Sequence, residues 1–352
     1  MPLTLRIEGD RWRSHLRRTA ETYGVVGQGI VPVVKGNGYG FGLASLARRS
    51  AWLGADAGVD TVATGMYEEV PELLSRFAGD VLVLSPWRPF LSEVPDGDRV
   101  VHTVGRLDDL AALGAQRPGA RIVVEALTTM SRHGLPRHEL AAAADLVRAG
   151  RLRLSGLALH LPLVGEHEPE AEEWAAVLEA SQLDTSTMWV SHLDAQQIGR
   201  LRARRPRLLV RPRVGTALWL GDRGALTVRA TVLDRHPVSR GDRVGYRQRP
   251  LPRAGHVLVV AGGTAHGIGL AAPAAGSARQ RALALARGGL EAAGMTLSPY
   301  TVGGRQRWFV EPPHMQVSLI FVPAGAGVPD VGDEVDVAVR FTTTTFDHIE
   351  IG

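Results

Sequence analysis

One residue type in this chain is nearly missing, and its single occurrence is a candidate for chemistry. Lys35 is the only lysine among 352 residues, against 39 arginines. Lysine is normally among the commonest residues, so a position that stays lysine here is expected to do what arginine cannot. An uncharged lysine amine can attack a carbonyl, whereas a guanidinium cannot. Lys35 also ends the apolar run 31–34 and opens a glycine-rich turn at 36–40, which favours a nucleophilic amine over a leftover surface lysine.

The elements that must position Lys35 follow a regular alternation over the first two thirds of the chain. Eight β-rich apolar runs are predicted as strands: Ile30–Val34, Val59–Thr64, Val81–Ser85, Val100–Val104, Arg121–Glu125, Leu154–His160, Thr187–Ser191 and Leu208–Arg211. Helical patterns lie between most of them, at Leu43–Leu53, Leu107–Ala115, Glu139–Ala149 and Pro169–Ala180. Eight strands with helical crossovers predict a (β/α)8 barrel over residues 1–225. An open, doubly wound sheet is the structural alternative.

The texture of the sequence changes after about Ala225. Strand-like runs then follow one another without helices, punctuated by Gly and Pro, at Leu226–Leu233, Arg243–Arg247, His256–Val260, Val317–Val322 and Glu334–Arg340. This pattern predicts a mostly antiparallel β domain over residues 226–352. It is interrupted by one helical stretch at about Ser277–Ala293, interpreted as a surface helix, and the final FTTTTFDHIEIG is expected to form a sheet edge or a tail.

Composition narrows the classes of function. There is no cysteine, so disulfides, thiolate zinc sites and cysteine nucleophiles are excluded, and no metal site is predicted. The formal charge of +4 is small and comes without a long basic run, which gives no support to nucleic-acid binding. No stretch is apolar and long enough to cross a membrane, and the first residues lack a signal-peptide core. The expectation is a cytoplasmic enzyme or binding protein.

Reactive side chains collect where the predicted barrel would have its active site. In such barrels the site lies at the carboxyl ends of the strands. The residues expected there are Lys35, Glu125, Arg132, His160, His192, Asp194, Arg213, Gly215 and Thr216. Singly, the histidine and the arginines have ordinary structural explanations. Together, an amine, a histidine and two arginines suit an anionic ligand with a reactive carbonyl.

Several motifs, in order along nearly the whole chain, resemble those of the alanine racemase family. VVKGNGYGFG at 33–42 is similar to that family's lysine motif for pyridoxal 5'-phosphate (PLP). The other segments are MSRHG at 130–134, GLALH at 156–160, RVGTALWLG at 213–221, GDRVGYR at 241–247, GGTAHG at 262–267 and HMQVSL at 314–319. The resemblance implies an N-terminal barrel that binds PLP and a C-terminal β domain that supplies a catalytic tyrosine.

The resemblance also implies roles for individual residues. Lys35 and Tyr246 would be the two acid-base groups, with His160 tuning Tyr246 and Arg213 donating to the pyridine nitrogen of PLP. The cofactor phosphate would be reached by Tyr39, the amides of Gly215 and Thr216, and the loop of Asp194. The substrate would meet Arg132, Glu125 and Met315. In the family the tyrosine comes from the partner subunit, so a head-to-tail homodimer with shared active sites is implied.

Some positions depart from the family pattern. The phosphate-site serine falls on Ala195 and its neighbouring asparagine on Asp194, and a C-terminal tyrosine that reaches the phosphate has no counterpart. Thr264 stands where a tyrosine lines the substrate entrance. Many family members carry a carbamylated lysine at the position of Glu125, and we expect the Glu125 carboxylate to replace it through a short pair with Arg132. An ordinary structural glutamate is the alternative.

The sequence therefore predicts a PLP-dependent racemase that acts on a small amino acid, alanine first, with neither a nucleic-acid nor a membrane partner. Two alternatives remain open. One is a racemase or epimerase of another amino acid, which the small Thr264 favours. The other is a catalytically weak PLP-binding or partner-binding protein of the same fold, which the altered phosphate site favours. Decarboxylases of the related barrel fold are disfavoured, because they pair the pyridine nitrogen with a carboxylate where this chain has Arg213.

Overall fold

The computed structural model describes residues 2–270 and 296–352. They form two compact units. One consists of Arg13–Gly38 and Gly42–Gly221, and the other of the described residues of Met1–Trp12, Tyr39–Phe41 and Asp222–Gly352. The helix predicted at 277–293 lies outside the described residues. Within those residues, no helix combines the length and the apolar content that crossing a bilayer requires.

The first unit is a closed parallel barrel. After strand β1 (Leu3–Ile7), which belongs to the second unit, its eight strands are β2 (Val31–Pro32), β3 (Thr61–Thr64), β4 (Asp80–Val83), β5 (Val100–Val104), β6 (Arg121–Ala126), β7 (Arg153–His160), β8 (Thr187–Ser191) and β9 (Leu209–Val214). They pair in the order β2-β9-β8-β7-β6-β5-β4-β3. A parallel bridge from Val33 to Ala63 joins the two ends of that order. The predicted barrel is confirmed, and the open sheet is excluded.

Eight α-helices accompany these strands in the described residues: α1 (Gly9–Val26), α2 (Leu43–Ala57), α3 (Val70–Leu74), α4 (Leu107–Gln116), α5 (Leu140–Ala149), α6 (Glu168–Ala180), α7 (Ala195–Arg204) and α8 (Thr216–Leu220). Helix α2 shows how the sequence ends one of them. Gly58 follows it in the left-handed conformation (φ 66°) and its N–H donates to the carbonyl of Gly54. Glycine adopts that conformation without steric cost, so the helix stops there.

Side chains fill the barrel rather than leaving a pore. A buried cluster takes at least one residue from each of seven strands: Val31, Val33, Ala63, Leu82, Val101, Val123, Ala158 and Trp189. Above it, the indole Nε1 of Trp219, in α8, donates to the carbonyl of Val33 at 2.7 Å. This bond holds the backbone just past the end of β2, two residues before Lys35, so the packed interior supports the barrel mouth.

The second unit is built from β1 and the strands β10 (Leu226–Val238), β11 (Arg243–Val244), β12 (Arg249–Pro250), β13 (Gly255–Ala261), β14 (Leu297–Val302), β15 (Arg305–Phe309), β16 (Val317–Pro323), β17 (Glu334–Val337) and β18 (His348–Ile351). Strands β11 and β12 form a separate hairpin. The others form one sheet in the order β13-β16-β15-β14-β17-β10-β1-β18, and β13 also pairs with β10. That extra pairing closes six antiparallel strands into a ring, with β1 and β18 extending from β10.

Strand β10 makes this topology possible because it is long and irregular. Its first half pairs with β1 on one side and with β17 on the other, whereas its second half pairs with β13. The register shifts between Val232 and Asp234, and such a bulge bends and twists a strand. The predicted C-terminal β domain, mostly antiparallel, is confirmed, although β18 runs parallel to β1.

Candidate functional site

Lys35 follows a strand end that is held from both sides. Val33 donates its N–H to the carbonyl of Val214 at 2.9 Å, and Val34 donates to the carbonyl of Ala63 at 2.7 Å. Beyond Lys35 the chain turns sharply, with Gly36 and Gly38 both at φ 61°, where a β-carbon would be strained. The strand therefore brings Lys35 to the barrel mouth, and the glycines allow the backbone to turn away directly after it.

The environment of the Lys35 amine favours its uncharged form. The side chain is exposed at the mouth. Partial desolvation, followed by the nearby positive charges of Arg132 and Arg213, lowers the pKa of Lys35, while Glu69 opposes the shift. A lower pKa leaves more of the nucleophilic amine at neutral pH. No hydrogen bond to the amine occurs in the part of the chain that the structure describes.

Arg213 is a buried cation whose donors are only partly used. It lies in β9, is 7% exposed, and its Nη2 donates to the carbonyl of Leu159 at 2.7 Å. Its Nε is buried without a partner. Burial lowers its pKa to about 10, with Glu125 opposing and Arg132 assisting the shift. The guanidinium therefore stays charged at neutral pH, and its Nε lacks an acceptor, which is costly for a buried donor.

His160 ends β7 as a neutral imidazole. Its Nδ1 lies 3.1 Å from the hydroxyl oxygen of Ser191, and Thr128 fixes its backbone by donating a hydroxyl to its carbonyl at 2.6 Å. The ring of His192 packs beside it with centroids 5.3 Å apart. Burial, then Arg213 and the other nearby cations, lowers the pKa of His160 to about 3. The ring is uncharged throughout the physiological range.

Glu125 lies inside β6, close to these cations, but the short pair expected with Arg132 is not formed. Glu125 is 2% exposed, and its Oε2 is buried without a hydrogen-bond partner. Burial raises its pKa, against the attraction of Arg213, Arg132 and Arg88 in that order. Arg132 lies exposed in the loop after the strand, and no hydrogen bond or ion pair joins the two side chains. The expectation was wrong because Glu125 points from a buried strand position while Arg132 stands on an exposed loop.

The loops at Gly215 and at Asp194, both expected to bind the cofactor phosphate, differ in whether their backbone N–H groups are free to bind an anion. Gly215 precedes α8 without any side-chain cap, so the first amides of that turn are not engaged by a side chain. Asp194, in contrast, caps α7: its carboxylate accepts from the N–H of Gln197 at 2.8 Å, and the Gln197 side chain accepts from the N–H of Asp194 at 2.8 Å. An anion near this loop would meet the negative charge of Asp194 rather than a free helix terminus.

A second cluster of predicted site residues lies in the β unit. Tyr246 is 85% exposed, and its ring packs on His314 with centroids 4.7 Å apart. The Nε2 of His314 lies 2.7 Å from Oε1 of the buried Glu311, while Oε2 of Glu311 accepts from the N–H of Arg247 at 3.4 Å. Glu311 thus binds the backbone directly after Tyr246, at Arg247, and orients the His314 ring that packs against Tyr246.

The remaining predicted residues of this unit are placed as follows. Thr264 donates its N–H to the carbonyl of His314 at 2.8 Å, so the small side chain at 264 lies beside the tyrosine cluster. Met315, next in the chain after His314, is 73% exposed. Tyr39 is buried in the same unit, and burial raises its pKa to about 12, so its hydroxyl stays protonated.

Comparison with known proteins decides the family. Residues 7–204 match the model of the alanine racemase N-terminal domain, which is more than half of the chain. The chain belongs to the alanine racemase family. Alanine racemase of a Nitratiruptor species is 29% identical over 152 residues, covering 42% of this chain and 41% of that protein. Alanine racemase of Campylobacter jejuni subsp. jejuni (strain 81-176) is 28% identical over 162 residues, covering 46% and 45%. The alignments thus span less than half the length of these relatives.

Solved structures share the fold over 96–100% of the chain. Alanine racemase from Bartonella henselae, with covalently bound pyridoxal phosphate, has a TM-score of 0.71 at 17% identity and covers 100% of this chain and 99% of that one. A histidine racemase from Leuconostoc mesenteroides subsp. sake has a TM-score of 0.64 at 18% identity, covering 96% and 88%. At these identities the likeness shows the fold alone.

Two carboxylates of this family member were not predicted from its sequence. Glu69 lies after β3 and binds the turn that follows Lys35, and Glu311 lies behind Tyr246. Glu69 acts largely through backbone N–H groups, which leave no pattern of residue types to read, whereas Glu311 contacts the imidazole of His314 and one backbone N–H. A sequence signal existed only for Glu311, because it stands three residues before the HMQVSL segment, which resembles a motif of the family.

Proposed function

We propose that this chain is a PLP-dependent amino-acid racemase that interconverts L- and D-alanine. The observation that carries the proposal is the pairing, at one barrel mouth, of the chain's only primary side-chain amine with a buried arginine whose Nε lacks an acceptor. An amine with a lowered pKa can attack an aldehyde, and an unsatisfied buried cation can take a ring nitrogen as its acceptor. Family membership and the PLP bound to the Bartonella relative support the same assignment.

The residues present fit PLP. Lys35 would hold its aldehyde carbon and Arg213 its pyridine nitrogen. The uncapped first turn of α8, at Gly215 and Thr216, would hold its phosphate. When bound, the cofactor supplies an electron-withdrawing ring that acidifies the Cα–H of an amino acid. Arg213 keeps its own proton because its pKa of about 10 lies above neutrality. It therefore offers the ring a hydrogen bond without transferring a proton, which limits electron withdrawal and favours return of the proton to Cα.

Proton transfer would be divided between two groups. Lys35 Nζ takes the Cα proton on one face and the phenolic oxygen of Tyr246 serves the other, so each enantiomer has its own base. Arg132 binds the substrate carboxylate. His160 stays neutral and, with Ser191 on its Nδ1, presents a fixed imidazole. Since Tyr246 is exposed in one chain, we propose that it serves the active site of a second copy in a head-to-tail homodimer.

The cofactor assignment is tested on the purified protein with added PLP. We expect near-visible absorbance that borohydride converts into a stable label, and peptide mapping should find that label on Lys35. Because the chain has no other lysine, the only competing amine is the N-terminus. Lys35→Arg should lose the label, since arginine cannot condense. A protein whose spectrum ignores PLP and whose Lys35 remains unlabelled refutes the proposal.

The reaction is tested by incubating the loaded protein with L-alanine and measuring D-alanine. Tyr246→Phe should lose about 10²–10⁴-fold in rate, more in one direction than in the other, whereas the matched control Tyr23→Phe should not. Mixing inactive Lys35→Ala with the slowed Tyr246→Phe should raise activity well above that of either variant alone, by forming one intact site per heterodimer. No recovery from subunits shown to exchange contradicts the shared site.

A second candidate is a racemase of a larger amino acid. Thr264 is small and exposed beside the Tyr246 cluster. A larger side chain at this position would leave less room for the substrate side chain. The histidine racemase with the same fold means that the fold does not choose between substrates. A panel of L-amino acids, assayed for D-product, separates the two. Faster turnover of a larger substrate, slowed selectively by Thr264→Tyr, would favour this candidate over alanine.

A further inference from the structure

A single carboxylate gathers the backbone around Lys35. Oε1 of Glu69 accepts from the N–H of Gly36, the residue after the lysine, at 2.6 Å. Oε2 accepts from the N–H groups of Gly65 at 2.7 Å and Met66 at 3.1 Å. Glu69 thus ties the turn after β2 to the end of β3, across two neighbouring strands of the barrel.

The hydroxyl of Thr64 strengthens this connection. Its oxygen lies 2.6 Å from Oε2 of Glu69 and 2.9 Å from the carbonyl of Val34. One hydroxyl proton is therefore shared between the carboxylate and the residue directly before Lys35. The backbone on both sides of the lysine is held by the same group, at Val34 through Thr64 and at Gly36 directly.

The close approach depends on a glycine. A β-carbon added at Gly65 would lie 3.1 Å from Oε2 of Glu69 and 3.3 Å from Cβ of Lys35, both tighter than ordinary van der Waals contact. Gly65 therefore stands between the carboxylate and the lysine with no side chain of its own. The space that it leaves brings a negative charge close to the base of the lysine side chain.

We propose that Glu69 is the positioning residue of Lys35: its carboxylate closes the turn that carries the lysine and keeps a negative charge facing the amine. The proposal rests on the proposed function for its catalytic meaning, since the amine matters only if it holds the cofactor. Its structural content, the coupling of Glu69 to Lys35, is independent of that function.

The charges around the amine show which effects the Glu69 carboxylate opposes. Arg132 and Arg213 are cations that disfavour the charged amine, as does desolvation, and His160 faces the same space as a neutral ring. Glu69 is the carboxylate that raises the pKa of Lys35 against these effects. Without it, the lysine would have no opposing negative charge of comparable influence and would lose the bond at Gly36 as well.

The single lysine makes a direct test possible without cofactor. Protein labelled with 13Cε-lysine gives one side-chain resonance, so the ionisation of Lys35 can be followed by NMR in the apoprotein. Glu69→Gln removes the charge and keeps an oxygen acceptor. We expect a downward shift of the Lys35 midpoint in this variant. The control Glu68→Gln removes the same charge from the adjacent, exposed position and should leave the midpoint where it is. Equal midpoints in the two variants overturn the proposal.

A measurement on the unmutated protein covers the case in which Glu69→Gln does not fold. On acid titration, the amide resonances of Gly36 and Gly65 should move together as their common acceptor is protonated. The Cε resonance of Lys35 should change at the same pH as the two amides, because the amine senses the loss of the charge on Glu69. If the two amides titrate while Lys35 does not respond, Glu69 is only a brace for the turn and the proposal fails. A chain that failed to bind PLP could still give this result. The experiment can therefore refute the role of Glu69 independently of the proposed racemase function.

Discussion

Replacing Glu125 by glutamine should stabilise the protein while impairing its site. Two effects compete in the wild type. Breaking a well-formed buried ion pair costs roughly 3–5 kcal/mol, but Glu125 forms no such pair, and its Oε2 has no hydrogen-bond partner. Burial outweighs the attraction of three arginines, because the net result is a raised pKa. The ionised carboxylate is therefore a net cost to the fold, and glutamine removes it.

The magnitude and its pH dependence follow from that shift. Glutamine imitates the protonated carboxyl, so the two proteins should unfold with equal free energy below the ordinary pKa of 4.5. As the pH rises, the unfolded chain ionises first, and the wild type loses stability until the raised folded-state pKa is passed. Above it the variant should be more stable by about 1.4 kcal/mol for each unit of the shift.

Urea denaturation between pH 4 and pH 8 measures this difference. The exposed Glu93 provides a matched control, since Glu93→Gln should change stability little at any pH. The same Glu125→Gln protein should show a higher KM, because the negative charge facing Arg213 and Arg132 is gone. A variant less stable than the wild type at neutral pH, or a difference that does not change with pH, would refute the reasoning.

The imidazole of His160 should titrate near pH 3 in an NMR experiment and contribute no limb near pH 6.5 to the pH–rate profile, since its neutral form is the one the fold favours. Glu311→Gln should slow the direction of racemisation that uses Tyr246 more than the other, because the support beneath its ring is weakened. Trp219→Phe should lose about 1–3 kcal/mol of stability, because the buried carbonyl of Val33 loses its indole donor.

Each of the three has an outcome that counts against it. A His160 midpoint near that of a free histidine would mean that burial and the nearby cations do not lower the pKa of the ring. Equal slowing of both directions by Glu311→Gln would make that residue a general structural carboxylate. An unchanged unfolding free energy in Trp219→Phe would mean that the carbonyl of Val33 finds another donor.

The barrel was predictable from sequence because its strands are largely buried apolar runs and a helix lies between most consecutive ones. All eight predicted runs overlap observed strands, from Val31–Pro32 to Leu209–Val214. The lysine was predictable for a different reason, namely its isolation in an arginine-rich chain. Both signals are local, so they can be read without knowing what lies next to them in space.

What could not be predicted depends on partners far away in the chain. Strand β1 has five residues, and it is a strand because it pairs with β10 and β18, more than 200 residues away. Glu69 carries no sequence signal because it binds backbone amides. The Glu125–Arg132 pair failed because a motif alignment fixes positions along the chain and not the direction in which a side chain points.

The pairing of β1 also sets an order on biosynthesis. Leu3 leaves the ribosome before its partner Ala230, which is made 227 residues later; this takes roughly ten seconds or more at about 5–20 residues per second. During that interval the apolar strand has no sheet to join, whereas all eight strands of the barrel have been synthesised before β10 is complete. The barrel can therefore assemble while translation continues. The β unit cannot form its sheet until its later strands are made. Strand β1 therefore stays unpaired in the nascent chain until β10 and β18 have been synthesised.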